Sequence, residues 1–125
     1  VINDSIDAAI ADGYPIAWVE DATDDQVIDI MTTSSVFLSI GIEGYGIPVL
    51  ESIRVGTPVL YDGIQPAAAL MEGKGALRIE GDNPIALRES LIKAPSHLDR
   101  LRQEVVPNAV PTWQEFVDEI VNSCM

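Results

Sequence analysis

The sequence predicts an α/β fold: a Rossmann-like, three-layer domain with a parallel sheet of about four strands. Three observations lead there. Four short apolar runs, at residues 14–19, 36–40, 59–61 and 76–79, read as strands buried on both faces. Stretches of helical periodicity with definite start and stop signals separate them. One unit, residues 36–55, passes from an apolar run through a glycine-broken loop into a helix. That is the arrangement with which α/β proteins present backbone N–H groups to an anion.

Each element has a local reason. Residues 3–12 form a helix with Asn3 or Asp4 as N-cap, Ile6, Ala9 and Ile10 on one face, and Gly13 placed to stop it. Residues 14–19 follow as the first strand, with Trp18 in the core. Thr23 and Gln26 have capping-box spacing and open a helix carrying Val27, Ile28, Ile30 and Met31. The second strand is 36–40, and its helix opens near Ile47 and Pro48 and runs to Val55. The segment Gly56-Thr-Pro58 ends that helix and starts the third strand, 59–61. Asp62-Gly63 makes a turn, 67–71 a short helix, Gly73-Lys-Gly75 a second turn and 76–79 the fourth strand. Asn83 before Pro84 gives an N-cap with proline in the first helical turn, for a helix to about Lys93. Ser96 with Asp99, and Thr112 with Glu115, announce two further helices. The last carries Trp113, Phe116, Val117 and Ile120 as one apolar stripe. No internal repeat or low-complexity segment interrupts this order.

Size and charge narrow the functions open to the chain. Its 125 residues make one domain at most. No apolar run approaches the ~18 residues needed to cross a bilayer, and no signal-type segment opens the sequence. The single cysteine, Cys124, fits a reducing, cytoplasmic setting. A net charge of −13, with seven Lys and Arg, argues against nucleic acid and anionic membrane surfaces as partners. It also leaves few cations for a phosphate, although a helix N-terminus and a glycine loop bind phosphate through the backbone. The chain enters a helical pattern directly from Val1, which suggests a piece of a longer protein.

The glycine unit carries the strongest candidates. Gly44-Tyr-Gly46 lies at the carboxyl end of a strand, where open α/β sheets bind ligands, and the following helix offers about half a positive charge at its start. Glu43 in the loop and Glu51 in the helix bracket this mouth, placed to accept hydrogen bonds from sugar hydroxyls. The blander reading has Glu51 favouring the helix dipole and pairing with Arg54. Asp21, Asp24 and Asp25 read as dipole partners rather than metal ligands, His97 as a surface residue, and Lys74 as a turn lysine. Nothing forms a nucleophile–base pair.

The segment Ser39-Ile-Gly-Ile-Glu-Gly-Tyr-Gly-Ile-Pro-Val-Leu-Glu-Ser-Ile-Arg-Val-Gly-Thr-Pro-Val59 resembles the signature of the retaining GT-B glycosyltransferases of the glycosyl transferases group 1 family (family 4, glycogen-synthase-like motif). That signature runs from a serine through Glu-Gly-Phe/Tyr-Gly-x-Pro to a second Glu eight positions after the first, then Gly-x-Pro-Val. Thr112-Trp113 also resembles the family's closing segment, so the similarity spans most of the chain. The resemblance implies a partial C-terminal, nucleotide-sugar-binding domain. Glu43 would be the catalytic-site acid holding hydroxyls of the donor sugar. Glu43, Gly44, Tyr45, Gly46 and Ile47 would line the sugar and diphosphate, with the N–H groups of the last three facing them. Glu51 would accept from the nucleotide ribose. The parent enzyme would transfer a sugar from a UDP-, GDP- or ADP-sugar to a saccharide or lipid-linked acceptor, as in polysaccharide biosynthesis. It would be cytoplasmic or peripheral at the inner membrane face, without cofactor or metal, and the chain has no Asp-x-Asp triplet.

The departures from the family are as specific as the match. The family's diphosphate-neutralising Arg and Lys, and its acceptor domain, correspond to nothing in this chain, so the piece alone should be inactive. Where the family often has an acid near the nucleotide, residues 64–70 hold Gln65-Pro66 and three alanines. In the family's strand order, two strands would stand between 14–19 and 36–40. The expectation is therefore direct pairing of those two segments, or a second copy covering the gap, with self-association through the sheet edge or the last helix. Two other readings stand beside this one. In a NAD(P)-type dinucleotide site Asp62 would hold the ribose, but the third fingerprint glycine falls on Val49 and Pro48 has no role. The other is a non-catalytic acidic interaction domain.

Overall fold

Three parallel strands, β1 (Phe37–Ile40), β2 (Val59–Asp62) and β3 (Ala76–Arg78), lie side by side in that order. Phe37 stands opposite Val59, and Val59 opposite Ala76. This is a computed structural model, describing the backbone of residues 2–124 and all side chains in it but those of Ile2, Asn3, Trp113, Phe116, Glu119, Ile120, Ser123 and Cys124. The helices are α1 (Ile2–Ala11), α2 (Asp24–Thr33), α3 (Ile47–Arg54), α4 (Pro66–Leu70), α5 (Pro84–Lys93), α6 (Pro95–Glu104) and α7 (Trp113–Cys124). A short 3-10 turn, Pro107–Ala109, precedes α7.

Alternation along the strands builds two cores. On one face Val59, Tyr61 and Ala76 pack with Val49 and Ile53 of α3 and with Ala67 and Ala68 of α4. On the other, Leu60 meets Ala94 and Leu101, with Leu77 and Ile79 alongside. Helices thus cover both faces, as the alternating pattern predicts. The cover is uneven. Leu38 and Ile40 of β1, on the α5–α6 side, remain 39% and 40% exposed, and Ile40 is approached there by the backbone at Gly81.

The expected four-stranded sheet has three strands. Residues 14–19 form no strand, and each of them is exposed. The N–H of Ile16 turns back onto Tyr14 O at 2.8 Å instead of joining a ladder. An apolar run becomes a strand only if a partner takes its backbone groups, and composition does not say whether a partner is in reach. Direct pairing of this run with β1 is likewise absent. A cavity of about 270 Å³ lies there, with Val19 and Ala22 on one side and Val36 and Phe37 on the other. Trp18, expected in the core, is therefore 49% exposed, and its Nε1–H donates to Glu20 Oε1 at 3.1 Å.

Most start and stop signals act as read. Gly13, at φ 92°, ends α1. Thr23 and Gln26 exchange both bonds of the capping box, Asn83 Oδ1 accepts from the Ala86 N–H, and Thr112 Oγ1 accepts from the Glu115 N–H. Ser96 does not cap. Its hydroxyl donates to Lys93 O, because α6 already starts at Pro95. Ala94 keeps helical angles (φ −55°, ψ −41°) and serves as the last residue of one helix and the lead-in to the next. Pro95, lacking an N–H, breaks the hydrogen-bond ladder with no cap required. The expected stripe of the last helix rests on Trp113, Phe116 and Ile120, whose side chains lie outside the described residues; Val117 is half-buried.

Candidate functional site

Strand pairing continues past the end of β1 into the glycine loop. The Gly41 N–H donates to Asp62 O at 3.0 Å and the Glu43 N–H to Ile64 O at 2.9 Å. Tyr45 O accepts from the Ala67 N–H at 2.8 Å, in the first turn of α4. The loop is thereby held along the segment that follows β2. Beneath it lies Gln65, 2% exposed. Its Nε2 donates to Ser39 O at 2.8 Å and Asp62 O at 3.1 Å, and its Oε1 accepts from Ser39 Oγ at 2.8 Å. One amide thus joins the carboxyl ends of two strands. In sequence, this position shows only that the acid is missing. An uncharged amide directly before the proline that opens a helix was the available signal.

Gly46 begins α3 in the left-handed region, at φ 102° and ψ 47°. A Cβ there would stand 3.3 Å from that of Ala67. Glycine also has no side-chain acceptor, so it leaves the helix start uncapped. Val49 N–H returns to Gly46 O at 3.0 Å, while the N–H groups of Gly46 and Ile47 have no acceptor among the described residues. Those donors, with the positive end of the helix dipole, can hold an anion.

Ile47, Leu50, Glu51 and Arg54 share one stripe of α3, at helical spacing. That stripe, Tyr45, and Val110, Pro111 and Thr112 enclose a groove of about 300 Å³. Its walls are mostly apolar, with Glu51, Arg54 and Thr112 as the polar exceptions beside the Tyr45 ring. The Glu51–Arg54 pair of the blander reading does not form among the described residues: Arg54 NH2 donates to Pro111 O at 3.3 Å. The exposed Glu51 carboxylate has no hydrogen-bond or ion-pair partner among the described residues. The structure therefore brings Tyr45, Ile47 and Glu51 to one groove. Glu43 and Gly44 are exposed on the loop and do not line it.

Asp62, at the end of β2, serves the fold instead. Its Oδ1 accepts from the Gly63 N–H at 2.9 Å and from Arg78 NH1 at 3.0 Å, and its Oδ2 accepts from the Gly81 N–H at 2.8 Å. Arg78 also stacks 4.7 Å over the Tyr61 ring, and Tyr61 Oη donates to Glu72 at 2.6 Å. Burial, then this bond to a carboxylate, push the Tyr61 hydroxyl up to about 12. The backbone N–H groups of Gly81 and Gly63, with Arg78, hold the Asp62 carboxyl below its ordinary 3.8. A lowered carboxyl pKa in the folded state contributes stability above the ordinary value, and that contribution is lost as pH falls through the lowered one. Asp62→Asn is therefore expected to lower the urea midpoint at pH 7 and to flatten its fall between pH 5 and pH 2. An unchanged acid profile would remove Asp62 from that role.

The lesser candidates stay modest. Asp24 and Asp25 occupy the first turn of α2, and no group of three or more His, Cys, Asp or Glu suits a metal among the described residues. His97 is half-buried in the first turn of α6. Lys74 is an exposed turn residue beside a shallow groove that also holds Glu115 and Asp118. No helix among the described residues is long and apolar enough to cross a membrane. No protein-family model, curated protein or solved structure matches this chain.

Proposed function

We propose that this chain is the donor-binding part of a retaining glycosyltransferase, taking a nucleoside-diphosphate sugar at the carboxyl end of its sheet. The observation that carries the reading is the uncapped start of α3. Two backbone N–H groups, at Gly46 and Ile47, lie one helical turn from the Glu51 carboxylate, and none of the three has a partner among the described residues. Together they supply donors for a diphosphate and an acceptor for vicinal hydroxyls. Glu43, exposed on the same loop, is the acid for the sugar hydroxyls. The glycosyl bond to the diphosphate would break as the bond to an acceptor oxygen forms on the same face of the sugar. The acceptor and the phosphate-neutralising cations are supplied from outside these residues, so the chain alone binds donor weakly and transfers nothing. The resemblance of residues 39–59 to the group 1 signature supports this reading. A dinucleotide site draws no support from Asp62, whose carboxylate already accepts three hydrogen bonds.

Calorimetric titration with UDP, GDP, ADP and NAD tests the proposal. One nucleoside diphosphate should bind more tightly than NAD, and Glu51→Ala should weaken it about tenfold or more, as expected for loss of a hydrogen bond to a charged group. Tighter binding of NAD than of any nucleoside diphosphate would overturn the reading. Undiminished affinity in Glu51→Ala would take that residue out of the site.

A further inference from the structure

The outer edge of β1 and residues 14–19 are two halves of an unmade contact. Phe37 and Gly41 turn their N–H groups to β2, so in the alternating ladder Leu38 and Ile40 turn theirs outward. No charged side chain lies between Ser34 and Ile42, and none between Gly13 and Val19, in a chain of net charge −13. Edge strands are ordinarily guarded by charge, proline or a covering element. This edge has no charge or proline of its own, and the side chains of Leu38 and Ile40 beside it are partly bare.

We propose that this edge takes residues 14–19 of a second copy of the chain as an antiparallel strand, the exchange being reciprocal. Three observations favour that occupant and that direction. Neither run carries a charged residue of its own, the nearest being Glu20 on the Trp18 indole, so two copies repelling one another elsewhere can meet here. The run alternates Tyr14, Ile16 and Trp18 with the smaller Pro15, Ala17 and Val19. In an antiparallel pair, residues bonded across the ladder carry their side chains on one face. Tyr14, Ile16 and Trp18 then bond to the edge and extend the apolar surface of Leu38 and Ile40, which they cannot do in a parallel pair. The same geometry turns Pro15 to the far side. There its missing N–H spoils the new edge, so pairing stops at two copies. The contact needs no donor ligand and stands apart from the glycosyltransferase reading.

The test is the mass of the 125-residue chain by analytical ultracentrifugation over a concentration series, at low and high salt. A species of twice 13.5 kDa is expected, its dissociation constant falling as salt screens the net charge. Two proline variants separate the two sides of the strand. Ile16→Pro removes an N–H that bonds to the edge and should leave monomer. Ala17→Pro removes an outward N–H and should leave the dimer intact. Leu38→Lys, a charge at the partly bare face, should also give monomer, with its circular dichroism unchanged. A monomer under all conditions, or a dimer that persists in Ile16→Pro, overturns the proposal. So does equal loss of the dimer in both proline variants.

Discussion

Gly63→Ala should produce the largest loss of stability of any single methyl group added to this chain. Gly63 stands at φ 100°. A Cβ on it would lie 2.0 Å from Gly41 O, 2.7 Å from Gly41 C and 3.1 Å from Gly41 Cα. These are backbone atoms of the adjoining loop, so no rotamer change relieves the overlap. Alanine also carries the cost of the left-handed conformation, of order 1–3 kcal/mol, and the overlap adds about as much again. A total of about 2–6 kcal/mol is a large fraction of the stability of a small domain. The variant is expected to lose half or more of its urea midpoint, or to be unfolded at 37 °C. A midpoint within experimental error of the parent would mean that residues 41 and 63 are not in contact.

Gln65→Leu is expected to follow, by a different route. Leucine keeps the volume and discards the bonds. The Ser39 hydroxyl loses its acceptor, and the carbonyls of Ser39 and Asp62 lose a shared donor. Buried groups stripped of a partner cost roughly 1–3 kcal/mol each, less where a second bond remains. Asp62 O still accepts from Gly41, so a loss of about 2–4 kcal/mol is expected in urea denaturation. Gln65→Glu distinguishes the donor side of the amide, because at neutral pH it withdraws the amide N–H from both carbonyls while keeping an acceptor for Ser39. It should be at least as harmful at pH 7 as leucine, and a neutral outcome would show that the amide is not the link between β1 and β2.

What was legible in the sequence was local. Thr23 with Gln26, Asn83 before Pro84, and Thr112 with Glu115 start helices through bonds spanning three residues, and the structure holds each of them. Where a local signal failed, a neighbour had already decided the matter: Ser96 lost its capping role because Pro95 began the helix first. The run at 14–19 failed for a longer-range reason. Its composition suits a strand, but a strand is made by its partner, and none lies beside it in the chain. At the site, the glycines and Glu51 are marked by their spacing, and the uncapped α3 follows from glycine at position 46. The grip of Gln65 on Ser39 joins residues 26 apart, and Arg54 reaches Pro111 across 57. Nothing in periodicity or capping encodes such pairings, which depend on how β1, β2 and the approach to α7 are stacked.

The ladder that runs on beyond β1 has a consequence for motion. Gly41, Glu43 and Tyr45 are each tied in turn to Asp62, Ile64 and Ala67, so neither loop can lift away without breaking bonds to the other. Such linked segments open as one cooperative unit, with the free energy of the unit rather than of a single bond. A ligand settling on the glycine loop would therefore quiet residues 62–67 as well, although they need not touch it. The mouth of the sheet behaves as a hinged pair of lips, stiffened together or loosened together.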